Sequence, residues 1–394
     1  MINLISMKHI YFYILISALT ISSISAQSFD PLIQEKVDQL SYDSLLLNLQ
    51  EFENLGIKNI YSEELKEAAA WIINKYEYWG YDNIEIDTFY FSGQTLFNIV
   101  VSRTGTLYPD QFVIIDGHYD TYNGPGANDN GTGTAIVLET ARVMKDMQTD
   151  YSVKFIHFSA EEVGLVGSYH YVNNTVVPED LNIRLVFNID EVGGVAGETN
   201  NTLTCERDES PPAGNNAASA AFTDTLANLT EMYSTLTSYL SYAYGSDYVP
   251  FMNNGYVVTG FYEYNESPYT HSINDSISKI DLDYVYEVTK SSLAASLYFT
   301  GAKDNNTGII ANSVKKSKFN IYPIPFVTSF EVENHMNDNL SISLIDAQGK
   351  VLEKYSLTKN SVTEIYPSSN STLIFYIITD DSGNQIDSGK IIRL

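Results

Sequence analysis

Two histidines and three carboxylates, His118, Asp129, Glu162, Asp190 and His271, stand in order along the chain, at or just beyond its most strand-like segments. They are the donors that a pair of hydrolytic zinc ions needs: one carboxylate shared by both metals, and one imidazole and one terminal carboxylate for each. The charge also balances, because two divalent cations offset three carboxylates and one hydroxide. The chemistry such a set supports is hydrolysis by an activated water.

Each donor sits in a short motif that would be ordinary alone. In His118-Tyr119-Asp120, strand periodicity puts positions i and i+2 on one face, so Asp120 can hold the far ring nitrogen of His118 and fix its tautomer. In Gly126-Ala127-Asn128-Asp129-Asn130-Gly131-Thr132-Gly133, the glycines permit a tight loop ahead of a helix, with Asp129 set to bridge. Glu161-Glu162 closes an apolar run. Water attack needs a base as well as a metal carboxylate, and adjacent glutamates can divide those tasks, although parity does not say which takes which. Asp190 ends the largely apolar run 186–189, with Glu191 as a competitor for the same role. His271 lies in a loop that also carries Asp275, available as its outer partner. His157 is expected to face the core or a helix, His170 a helix surface, and His335 falls in the C-terminal region.

Taken in register, His118-x-Asp120, the Gly126–Gly133 loop, Ala160-Glu161-Glu162-x-Gly164-Leu-x-Gly167-Ser168, Asp190, Ser246-Asp247 with Pro250-Phe251, and His271-Ser-x-x-Asp275 resemble the co-catalytic zinc aminopeptidase family, the bacterial leucyl aminopeptidases among them. The likeness runs over residues 55–300. It implies one zinc on Asp129, Glu162 and His271 and a second on His118, Asp129 and Asp190. It also implies Glu161 as general base, Asp120 as outer partner of His118, and peptide or protein N-termini as substrate, their free α-amino group reaching one zinc. Family members often stabilise the oxyanion with a tyrosine near the Ser-Asp motif; Tyr242, Tyr244 and Tyr248 crowd that stretch, and Tyr244 is the residue assigned. The alternatives are another metallohydrolase on the same scaffold (carboxypeptidase, dipeptidase or glutaminyl cyclase) and a non-catalytic surface-binding protein. Glutaminyl cyclases use one zinc, whereas His118 and Asp190 together argue for two. A dead scaffold would lack Glu161 or a ligand, and none is lost.

Helical periodicity runs through 29–81, then strand-like runs at 98–102, 112–115, 153–158 and 183–189 alternate with helical ones at 134–147 and 167–172, and a helix over 284–297 closes the region. Residues 200–220, rich in Asn, Pro and Ala, read as a loop or insertion. The alternation predicts an α/β fold, and with the resemblance a three-layer α/β/α peptidase domain around a mixed, mostly parallel sheet. Ligands gather at the carboxyl ends of such strands, where His118, Glu162 and Asp190 fall. The domain is expected over 27–301, followed by a linker at 302–317 and a small all-β, sandwich-like module at 318–394. That module resembles the C-terminal sorting domain of type IX secretion cargo, through Phe319-Asn320-Ile321-Tyr322-Pro323-Ile324-Pro325-Phe326, Asp346-Ala-Gln-Gly349-Lys350 and Lys390-Ile391-Ile392-Arg393. The resemblance implies the type IX machinery as a partner.

Composition bounds the rest. A formal charge of −27 over 394 residues argues against nucleic acid, which needs basic patches, and against an anionic membrane surface. Lys8 followed by the apolar run 10–21 and by Ser25-Ala26 reads as a signal peptide over 1–26; with the sorting resemblance this predicts a secreted or cell-surface protein without stable membrane insertion. Cys205 is the single cysteine, so no intrachain disulfide can form.

Overall fold

The computed structural model describes residues 28–243, 245–304 and 319–393, the last apart from 323–325, 327, 337, 347–349, 369–372 and 381–384. The expected signal peptide, Tyr244, most of the expected linker and parts of the sorting-domain motifs lie outside the described residues. The chain divides into two compact units, Met1–Asn306 and Thr307–Leu394.

The first unit opens with three helices, α1 (Pro31–Val37), α2 (Tyr42–Asn54) and α3 (Glu63–Tyr78). The third illustrates why these sequences are helical. The Ser62 hydroxyl accepts from the Leu65 N–H, glutamates fill the first turn and Lys75 the last, and Leu65, Ala68, Ala69, Ile72 and Tyr76 bury one face. Then follow β1 (Ile84–Phe91), β2 (Gln94–Arg103), β3 (Tyr108–His118), α4 (Gly131–Met144), β4 (Tyr151–Phe158), α5 (Val166–Tyr171), β5 (Asn182–Ile189), β6 (Thr202–Arg207), α6 (Asn216–Tyr233), β7 (Thr237–Tyr242), α7 (Val249–Asn253), β8 (Val258–Glu263) and α8 (Leu282–Thr300).

The eight strands form one mixed sheet in the order β1-β2-β4-β3-β5-β8-β6-β7. The β4–β3, β3–β5, β5–β8 and β6–β7 pairs are parallel and the other three antiparallel. Alternate side chains of the apolar strands feed two cores. Val113, Ile115, Phe155, Leu185 and Phe187 pack under α1–α4, α6 and α8, whereas Ile114, Ile156, Phe158 and Val186 pack with Tyr171, Phe251 and Met252 from the α5 and α7 side. The result is a three-layer α/β fold whose central strands are covered on both faces.

Three expectations need correction. Residues 202–207 are a sheet strand rather than loop, because Leu203 and Cys205 alternate inward and are fully buried. The fourth helix starts at Gly131, not at 134, since the Asn130 side chain accepts from the Gly133 N–H and caps it. β3 ends at His118, so Asp120 reaches His118 from the following loop and not along a strand face.

In the second unit, β9 (Phe319–Tyr322), β10 (Phe330–Asn334), β11 (Leu340–Ile345), β12 (Val351–Leu357), β13 (Ser361–Ile365), β14 (Leu373–Thr379) and β15 (Gln385–Ile392) make two antiparallel sheets, β13-β10-β9 and β12-β11-β14-β15. Strict alternation in β10 and β11 buries Phe330, Val332, Ile342 and Leu344 in a core of this unit's own.

Candidate metal centre

Four loop ends converge at the carboxyl edge of the parallel strands. His118 is the last residue of β3, Asp190 follows β5 directly, Glu162 lies just past β4, and Asp129 immediately precedes the capped start of α4. The approach is close enough to demand glycine: a Cβ on Gly133 would sit 2.2 Å from the Ile189 carbonyl oxygen. His271 comes from the loop after β8 and is brought alongside by another such contact, since a Cβ on Gly124 would meet the Ser272 carbonyl at 1.9 Å.

The five side chains form two groups that share one member. His118 Nε2 lies 3.2 Å from Asp129 Oδ1 and 3.3 Å from Asp190 Oδ1. His271 Nε2 lies 3.1 Å from Asp129 Oδ2 and 2.9 Å from Glu162 Oε2. His118, Asp129 and Asp190 could hold one ion and Asp129, Glu162 and His271 another. The first group is buried, whereas the His271 side chain is 56% exposed, so the second group faces solvent.

The donor chemistry fits divalent cations. Asp129 Oδ2, Glu162 Oε1 and Asp190 Oδ1 are buried with no hydrogen-bond partner, an expensive state for a carboxylate unless a cation meets it. Among the described residues, these five side chains form ion pairs only with one another and, through His118, with Asp120. The electrostatics agree. Burial and then the Asp129 charge push Glu162 up to about 10. Burial acts against a charged His118, yet Asp190 and Glu161 outweigh it and hold its pKa well above the usual value. Burial would raise Asp129, but the two histidines beside it, His118 first, bring it well below the ordinary carboxylate range. Glu161 belongs to neither group; burial first, and Asp190 and Asp247 with it, raise its carboxyl despite His118.

Of the two expected outer partners, Asp275 is the one that differs. His118 Nδ1 lies 3.5 Å from Asp120 Oδ1 and 3.2 Å from the Asp120 carbonyl oxygen. The Asp120 carboxylate also accepts the backbone N–H groups of Glu161 and Glu162, at 3.1 and 3.3 Å. It therefore fixes the turn that carries both glutamates. Asp275 does not serve His271. It accepts the N–H groups of Asn128 and Asp129 at 2.8 and 3.0 Å, because the His271–Asp275 segment folds under the Asp129 loop. Asp190 and Glu191 part company: Asp190 Oδ2 accepts the Ser246 hydroxyl at 2.6 Å, leaving Oδ1 for a cation, while Glu191 accepts from Thr270. Sequence reasoning missed Asn188, whose amide donates to Ser246, and Glu263, which accepts from Asn128 and from the Gly194 N–H. A polar Asn inside the apolar run 186–189 was the one available signal. His157 is buried and paired with the Tyr76 hydroxyl, while His170 pairs with Asp87 at 3.2 Å and stacks on Phe89.

Known proteins resemble this chain in sequence and in fold. Residues 98–296 match peptidase family M28. Aminopeptidase YwaD of Bacillus subtilis is 30% identical over 243 residues, 59% of this chain and 50% of that protein; this chain thus spans about half the length of that relative. A probable aminopeptidase of Saccharomyces cerevisiae, YDR415C, is 25% identical over 66% of this chain and 73% of its own. Among solved structures, LapB from Legionella pneumophila superposes with a TM-score of 0.61 at 22% identity, covering 71% of this chain and 77% of its own. A Macrostomum lignano glutaminyl cyclase does so with a TM-score of 0.61 at 16% identity, over 71% and 96%; both show the fold alone. The family match takes in all five converging donors together with Asp120 and Glu161, covers half of the sequence, and on that extent the chain belongs to peptidase family M28.

Proposed function

We propose that this protein is an exported aminopeptidase that removes N-terminal residues from peptides with two zinc ions. The observation that carries this reading is the pair of donor groups sharing Asp129. His118, Asp129 and Asp190 would hold the buried ion, and Asp129, Glu162 and His271 the solvent-facing one. Bound there, the ions supply Lewis acidity toward water and toward the scissile carbonyl.

The chain's own groups do the rest. Glu161, left outside both ligand groups and tethered through its N–H to Asp120, accepts the proton of the attacking water and returns it to the departing amine. Ser246 keeps one oxygen of Asp190 turned toward the centre. Tyr244 is the oxyanion donor this reading assigns. The β module, by its resemblance to type IX sorting domains, directs release or surface attachment after the signal peptide has taken the chain to the periplasm.

The test is metal analysis combined with turnover. Purified protein should contain close to two zincs, and a chelator should abolish release of N-terminal residues. Glu161→Gln should retain the zinc and lose about 10²–10⁴-fold in kcat. Full turnover in that variant would remove Glu161 from the reaction. Two zincs retained at full occupancy in Asp190→Ala would break the ligand assignment.

A further inference from the structure

Glu191, like Glu161, is an acidic residue beside the centre that neither donor group takes up. It follows Asp190 directly, and its backbone adopts a left-handed φ of 46°. Its Oε2 accepts the hydroxyls of Thr270 at 3.1 Å and Tyr262 at 3.4 Å. Thr270 precedes His271, the one exposed ligand. The Glu191 carboxylate thus borders the solvent-open group, where the first residue of a peptide must lie for its peptide bond to reach the centre.

Two features of the surroundings select the kind of side chain that would fit. Among the described residues, no lysine or arginine forms an ion pair with Glu191, and its partners are hydroxyls that leave acceptor capacity on the carboxylate. Beside it runs a row of tyrosines. Tyr262 and Tyr239 are both in register with Thr204 on the intervening strand β6, which places them on one face of the sheet. Tyr264 packs on Tyr239 with ring centroids 5.3 Å apart, and Tyr239 and Tyr264 are exposed. A long aliphatic stem can lie along such rings while its cationic end meets the carboxylate, and the ring faces themselves attract cations.

We propose that Glu191, with the hydroxyls of Tyr262 and Thr270, forms the floor of the pocket for the N-terminal side chain and makes the protein prefer peptides that begin with lysine or arginine. This rests on the aminopeptidase reading and specifies its substrate class.

The test compares kcat/KM for the 4-nitroanilides of Lys, Arg, Leu and Ala on the full zinc-loaded protein, with Glu191→Gln and Glu191→Lys variants checked for zinc content and Tm. The expected result is a preference of about tenfold or more for Lys and Arg over Leu, lost in Glu191→Gln and reversed in Glu191→Lys. An unchanged Lys/Leu ratio in Glu191→Gln overturns the proposal. So does an equal loss on all four substrates, which would assign the carboxylate to the α-ammonium group instead. Calorimetric binding of L-lysine and L-leucine separates the pocket from the reaction. Tighter binding of lysine that depends on Glu191, in a protein that hydrolyses nothing, would support the pocket and sink the aminopeptidase reading. Equal binding of both amino acids would sink the pocket.

Discussion

Asp275 and Asp120 use one device twice: each buried carboxylate accepts two consecutive backbone N–H groups of a turn that carries donors, Asn128-Asp129 in one case and Glu161-Glu162 in the other. Hydrogen bonds to a charged acceptor contribute about 1.5–3 kcal/mol each, enough to set where a ligand stands. In Asp275→Asn one acceptor oxygen becomes an NH2 that faces an N–H donor, so one bond is lost and a repulsion is added. Zinc affinity, measured by competition with a chromophoric chelator, should fall about 10–100-fold. Unchanged affinity would reduce Asp275 to a packing residue. The five side chains that converge could be picked out in the sequence because chemistry restricts such donors to few residue types and the chain order fixes their succession. The role of Asp275 was not legible, because a carboxylate that binds backbone N–H groups leaves no trace in its partners' side chains. The residues alone left Glu191 as a competitor of Asp190; the structure sets Asp190 against His118 and Glu191 against Thr270.

At the scale of elements, the central strands declared themselves by their apolar runs, while β6 was hidden. Its neighbours are rich in Asn, Pro and Ala, and its outward side chains, Thr204 and Glu206, are polar yet buried. Glu206 on β6 accepts the Tyr248 hydroxyl at 2.7 Å just before α7, and this pair ties the strand to that helix. Burial raises the Glu206 carboxyl to about 8, with the Tyr248 bond opposing and Asp190 adding to the rise. In the unfolded chain a glutamate titrates near 4.3. Between about 4.3 and 8 the folded state therefore holds the proton that the unfolded state has released, and stability must fall as pH rises through that window. The neutral amide of Glu206→Gln still accepts from Tyr248 but has no proton to lose. Urea unfolding in the presence of chelator should show wild type weakening from pH 5 to pH 8 by more than the variant does. Parallel losses in both would place Glu206 outside the titration.

At the scale of the whole molecule, each unit owns a core: residues 28–304 pack around two apolar clusters flanking one sheet, and the described residues of the β module around a third. The β texture of the C-terminal region was visible in the sequence as short strand-like runs separated by turn signals. All five donors, Asp120, Glu161 and Glu191 belong to the first unit, and the second contributes none of them. A domain that closes its own core and holds its whole site has no physical need of its neighbour for catalysis. Cleavage between residues 305 and 318 by limited proteolysis should therefore release a fragment that keeps its zinc, its kcat and its kcat/KM. In calorimetry of the intact chain the fragment's transition should recur at a Tm within a few degrees, with the β module melting as a separate event. A fragment that loses zinc or activity on cleavage would mean that the module completes the site.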